Sequence, residues 1–232
     1  MTTIDERLQG VHTRIERACA QAGREPSSVA LLAVSKTFEA GAVRQAHGAG
    51  QLAFGENYIQ EAIEKMADLA DLPLQWHCIG PIQSNKTRLV AEHFDWAHTI
   101  DRRKTAERLS AQRPAARAPL QVCIQVNVDG GVNKAGVAPG EALALARAVA
   151  VMPALCLRGL MAIPEPSPDH AVQLALHRRA ADLFKLIGAS GALGLERWDT
   201  LSLGMSADLE AAVLAGSTMV RVGTAIFGSR SP

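Results

Sequence analysis

Two cations close apolar runs that otherwise suit buried strands: Lys36 ends "LLAVSK" and Arg221 sits in "TMVRVG". Strand alternation places Lys36 on the side of Leu32 and Val34, and Arg221 on the side of Met219. Taken singly, each fits a surface cation whose stem lies along apolar neighbours. Two loops near the chain's end change that balance. "GMSADLEAA" places Ser206 as the N-cap of a helix reaching Ala215, where its hydroxyl and the free amides suit an anion. "RVGTAIFG" places Gly223 and Thr224 directly after a strand, the glycine permitting close backbone approach and the threonine adding a hydroxyl. A phosphate pocket beside an inward lysine suggests imine chemistry, because desolvation makes an amine neutral and nucleophilic toward an aldehyde. An aldehyde-bearing phosphate ester with an aromatic ring describes pyridoxal 5′-phosphate (PLP). An arginine facing its pyridine nitrogen disfavours protonation there and weakens the ring as an electron sink. A phosphate-binding barrel enzyme with a lysine imine but no PLP fits the same residues.

The elements that must position these groups alternate along the chain. Ile4, Leu8, Val11, Ile15 and Ala18 recur at helical spacing and predict an N-terminal amphipathic helix. Strands are predicted at Val29–Ser35, "LAFGEN", "LQWHCIG", "FDWAHTI", "LQVCIQVNV", Leu155–Ile163, "WDTLSLGM" and "TMVRVG". Helical segments separate them, among them "NYIQEAIEKMADLA", Ser84–Glu92, Arg102–Gln112, Gly140–Val151 and Pro168–Ile187. "RPAARAP" reads as the clearest linker, yet no composition break divides the chain, so a single domain over 1–232 is expected. Repeated βα units imply parallel pairing and right-handed crossovers. The fold class is α/β: a single (β/α)8 TIM barrel with an extra N-terminal helix, an open doubly wound sheet being the alternative.

A barrel of this kind builds its site at the C-terminal strand ends. Read in order, those ends offer Lys36, Glu56 and Asn57, the Gly80-Pro81 pair, Asp101, Asn127, Met161, Met205 with Ser206, and Arg221. His77 is expected as a hydrogen-bonded support near the pocket, and His93 and His98 as surface or capping residues. Lys86 reads as a solvated cation.

Composition excludes several classes. Of 232 residues, 24 are Lys or Arg and 23 Asp or Glu, so a net charge of +1 gives no reason to expect nucleic acid or an anionic membrane. The four cysteines, Cys19, Cys78, Cys123 and Cys156, lack zinc spacing and suit buried thiols in a reducing compartment, with no metal. No signal peptide and no apolar run of about 18 residues is evident, so a soluble, cytoplasmic protein is expected.

"LLAVSKT", "FGENYIQEA", "WHCIGPIQSNK", "AHTIDR", "GLMAIP" and "LSLGMSADLEAAVLAGSTMVRVGTAIFG" resemble the pyridoxal phosphate homeostasis proteins, from about Leu8 to Arg230. The resemblance implies a fold-type III barrel like the N-terminal domain of alanine racemase. It implies PLP held as an internal aldimine, a Schiff base, on Lys36. By the same match Ser206, Gly223 and Thr224 hold the phosphate, Arg221 faces the pyridine nitrogen, Asn57 lies beside the ring, and Met205 and Met161 form apolar walls. The implied role is PLP (vitamin B6) homeostasis by a carrier with no catalytic residue, PLP-dependent apoenzymes being candidate recipients; with no second apolar interface evident in the sequence, a monomer is expected. A PLP-dependent amino-acid racemase is the alternative. Racemases resembling this barrel oppose their lysine with a tyrosine from a second domain across a dimer interface. This chain ends at Pro232, and Tyr58 is its single tyrosine. It departs from the family pattern at Asn133, where Glu or Ser is common, and at Cys78, where an aromatic is usual.

Overall fold

The computed structural model describes residues 2–131 and 134–228. Asn133 lies outside them. Eight parallel strands close in sequence order into a barrel, with β1 paired to both β2 and β8. They are β1 (Ala30–Val34), β2 (Ala53–Glu56), β3 (Gln75–Cys78), β4 (Trp96–Ile100), β5 (Leu120–Gln125), β6 (Leu155–Met161), β7 (Thr200–Ser202) and β8 (Met219–Val222). The open-sheet alternative is thereby excluded. The fifth strand is shorter than its alternation predicts: beyond Gln125 only a bridge between Val126 and Val137 continues the pairing.

Period two divides each strand between two environments. Leu31 and Ala33 of β1, Leu120, Val122 and Ile124 of β5, and Val220 and Val222 of β8 join one apolar cluster with the surrounding helices. Their neighbours Cys123 and Met161 pack with Trp96 in a separate small cluster. Several other buried strand positions are polar: His77, His98, Ser202 and Arg221 are all almost inaccessible. A barrel of this class is usually filled by layers of Val, Ile and Leu.

The helices are α1 (Ile4–Gln21), α2 (Ala40–Gly48), α3 (Ile59–Asp68), α4 (Thr87–His93), α5 (Arg103–Gln112), α6 (Pro139–Ala150), α7 (His170–Gly188), α8 (Leu209–Ala215) and α9 (Thr224–Phe227). Helix α1 begins with a capping box between Thr3 and Glu6, and buries the predicted Leu8, Val11, Ile15 and Ala18. It packs against α8 and α9, beside the loops that follow β7 and β8. The proline-rich "RPAARAP" stretch connects α5 to β5. Arg113 within it donates to the carbonyls of Ala91 and Phe94, both at 2.7 Å, binding the α5–β5 connection to the barrel's underside.

Candidate functional site

Lys36 occupies the second position of a tight turn, Ser35–Phe38, closed by the Phe38 N–H on the Ser35 carbonyl at 3.1 Å. The third position, Thr37, has φ 66°, the one positive φ outside glycine among the described residues. A β-branched residue there costs about 1–2 kcal/mol, so neighbouring groups must hold the turn. Helix α3 supplies them. Thr37 N–H donates to Glu61 Oε1 at 2.7 Å, and Lys65 Nζ donates to the Ser35 carbonyl at 2.9 Å. Lys65 also donates to Glu56 Oε1 at 2.6 Å, which accepts the Ser35 hydroxyl at the same distance. Glu56 and Lys65 are both buried. Burial raises the Glu56 carboxyl above its usual range, and Lys65 opposes that rise.

The turn borders a cavity of about 300 Å³ at the barrel mouth, lined by Val34, Lys36, Asn57, Ile79, Ile163, Met205, Ser206, Ala207, Arg221, Gly223 and Thr224. Lys36, Asn57, Met205, Ser206, Arg221, Gly223 and Thr224, chosen from sequence, therefore meet in one place. Among the described residues the lining carries two cations, two hydroxyls and an amide, and no carboxylate, which suits an anionic ligand with an apolar body. A neighbouring cavity of about 380 Å³ has the opposite character: Glu39, Glu61, Glu64 and Asp68 line it around Lys65.

Backbone approach shapes two sides of the mouth. A Cβ on Gly80 would lie 2.2 Å from the Asn57 carbonyl oxygen, so only glycine lets the β3 loop rest on Asn57. Thr99 fixes this loop by donating to the Gly80 carbonyl at 2.7 Å. A Cβ on Gly223 would meet the Val34 carbonyl oxygen at 3.1 Å, so the glycine serves the close approach of β8 to β1.

Three expectations need correction. Met161 is fully buried inside the barrel against Trp96 and Cys123, beneath the cavity; Ile163, two residues on, forms the wall instead. Ser206 does not cap α8, which starts at Leu209 after Asp208. The Asp208 side chain accepts the Met205 N–H at 2.6 Å and curls Met205–Asp208 into a turn before the helix begins. Ser206 Oγ instead accepts the Ala225 N–H at 3.4 Å, joining the loops after β7 and β8. Finally, His98 is neither exposed nor a cap: it lies fully buried within the barrel, bonded to His77 and Ser202.

Further groups brace the Ser206 loop. His177 of α7 meets Asp208 at 2.9 Å, and Arg14 of α1 donates to the Ser206 carbonyl at 2.9 Å while pairing with Glu210. Burial alone would raise the Asp208 carboxyl, but the bonds from His177 and Met205 N–H hold it below its usual range. Arg221 forms the cavity floor, donating to Ser202 O at 2.6 Å, Ser202 Oγ at 2.7 Å and Ala162 O at 2.9 Å. Burial lowers its guanidinium to about 10, leaving it cationic at neutral pH.

The family described as alanine racemase, N-terminal domain, matches residues 8–231. A pyridoxal phosphate homeostasis protein of Pseudomonas aeruginosa is 58% identical over 230 residues, covering 99% of this chain and 97% of that protein. The chain belongs to this family. Similarity within the family extends to solved structures: PipY of Synechococcus elongatus, with PLP bound, is 39% identical at a TM-score of 0.80, covering 93% of this chain and all of that one. Alanine racemase from Corynebacterium glutamicum shares the barrel at 20% identity and a TM-score of 0.63, this chain spanning 62% of its length.

Sequence reasoning missed Ile79, Ile163 and Lys65. Ile163 was within reach, because it follows Met161 at period two. Lys65 was not, since a lysine on an amphipathic helix carries no mark of burial.

Proposed function

We propose that this chain binds pyridoxal 5′-phosphate at the barrel mouth and acts in intracellular PLP (vitamin B6) homeostasis, with Lys36 Nζ as the covalent attachment point. The observation that carries this reading is the convergence of Lys36, Arg221 and the Ser206 and Gly223-Thr224 loops on one cavity that carries no carboxylate among the described residues. Relatives named for PLP homeostasis and a relative solved with PLP support the choice of ligand. PLP, when bound, supplies an aldehyde that condenses with an amine and a conjugated ring that can delocalise electrons.

The chain's own groups then take distinct roles. Ser206, Gly223 and Thr224 bind the phosphate, and Asn57 borders the ring. Met205 and Ile163 exclude water from one side. Arg221 keeps its proton and so disfavours a second positive charge on the pyridine nitrogen facing it. These features suit retention of the cofactor over vigorous carbanion chemistry.

A carrier is favoured over a racemase because a relative that covers nearly the whole chain at 58% identity is named for PLP homeostasis, whereas the alanine racemase shares only the barrel, at 20% identity. Tyr58, the single tyrosine in the sequence, is half-exposed and borders a separate cavity with Pro81, Gln83 and Lys86. The carrier acts as a cytoplasmic monomer that passes PLP to PLP-dependent apoenzymes. No helix among the described residues is long and apolar enough to cross a membrane.

The test is PLP uptake by the purified protein, followed by incubation with single-enantiomer amino acids at saturating PLP. A yellow holoprotein that leaves each enantiomer unchanged is expected. A colourless protein would sink the PLP reading, and sustained formation of the opposite enantiomer would replace the carrier with a racemase.

A further inference from the structure

The polar barrel interior forms a chain of hydrogen bonds whose direction follows from its first member. A guanidinium can only donate, so Arg221 NH1 gives a proton to Ser202 Oγ at 2.7 Å. The Ser202 hydroxyl, having accepted, directs its own proton to His98 Nδ1 at 3.1 Å. His98 then carries its proton on Nε2 and donates to His77 Nδ1 at 2.9 Å. His77 likewise carries its proton on Nε2 and donates to Gln75 Oε1 at 3.0 Å. With this polarity every donor in the chain meets an acceptor. Reversing His98 leaves the buried Ser202 proton without one, and reversing His77 alone sets its Nδ1–H against the His98 Nε2–H; either costs about 1–3 kcal/mol. Trp96 stacks on His77 at 5.1 Å and 8°, and fixes that ring in plane.

We propose that Ser202, His98 and His77 form a one-way hydrogen-bond relay that positions the Arg221 guanidinium at the cavity floor and, by staying neutral, leaves its charge to the ligand. The proposal deepens the reading of Arg221 as the partner of the PLP ring nitrogen. A buried arginine is ordinarily paired with a carboxylate. Here the bonds go to Ser202 and Ala162, and the groups stacked beneath are two imidazoles held uncharged, first by burial and then by each other and Arg221. The other charges near the relay lie outside it: Asp208 in the Ser206 loop, and Arg158 over the Trp96 ring at 4.8 Å. None of the three relay residues lines the cavity, so they act through Arg221.

Long-range ¹⁵N correlation spectra of the wild-type protein without PLP test the polarity directly. Neutral Nε2–H tautomers are expected for both His77 and His98; an Nδ1–H tautomer on either, or an imidazolium at pH 7, would overturn the relay. A second measurement uses PLP as the probe with Ser202→Ala, His98→Leu and His98→Gln. Losing the relay should weaken PLP binding roughly tenfold and move the visible absorption band of the bound chromophore. His98→Gln, whose amide can both accept and donate, should restore much of each. Unchanged affinity and spectrum in folded Ser202→Ala and His98→Leu would remove the positioning role. A wild-type protein that takes up no PLP would overturn the PLP reading, while the tautomers would still decide the relay.

Discussion

Lys65 shows how much a single side chain contributes to placing Lys36 without touching the cavity at the barrel mouth. It holds the Ser35 carbonyl and neutralises Glu56, whose buried Oε2 has no hydrogen-bond partner among the described residues. Lys65→Met should leave that carboxylate uncompensated and lower unfolding stability by about 3–5 kcal/mol. Adding Glu56→Gln should recover most of the loss, because the buried charge goes with it. Urea titrations of both variants check this. A single variant as stable as wild type would show that the pair does not brace the turn. Relaxing the turn should also loosen Lys36, since Thr37 keeps its positive φ only while Glu61 and Lys65 clamp both sides.

At the scale of elements, the loop after β3 reaches Asn57 only because residue 80 has no side chain. Gly80→Ala forces a Cβ into the Asn57 backbone, and overpacking of this kind costs about 1–3 kcal/mol. The expected outcome is a lower thermal midpoint together with weaker PLP binding. An unchanged affinity would mean that Asn57 need not sit where it does. The same scale explains what was legible in advance. Period two turned Lys36 and Arg221 toward the mouth, and the repetition of βα units closed the barrel. The Ser206 loop was misread because Ser and Asp are both strong cap formers, and only the Asp208 bond to Met205 N–H decides between them. His98 was misread because a histidine in "WAHTI" looks alike whether it faces water or a barrel interior; the difference lies in Ser202, 104 residues away.

For the whole molecule, the neutral histidine pair predicts how stability responds to acid. His98 is pushed down to about 3, and His77 well below its usual value, by burial first and a neighbouring positive or competing group second. The unfolded chain binds protons near pH 6.5 and the folded one does not, so their contribution is full above that value and falls as pH drops through the window below it. Between pH 7 and pH 5 each histidine should remove about 2 kcal/mol of unfolding stability. Glu56, raised by burial, acts with the opposite sign, so the comparison of interest is wild type against His98→Gln. The variant should lose roughly one histidine's share of the slope, and an identical pH profile would contradict the neutral assignment. The central claim joins these scales: the barrel, its relay and its clamped turn exist to present Lys36 to PLP. Borohydride reduction of the PLP-loaded protein followed by peptide mass spectrometry tests it most directly. The account predicts a pyridoxyl group on Lys36 and its loss in Lys36→Ala; modification at another lysine, with Lys36 unmodified, would contradict it.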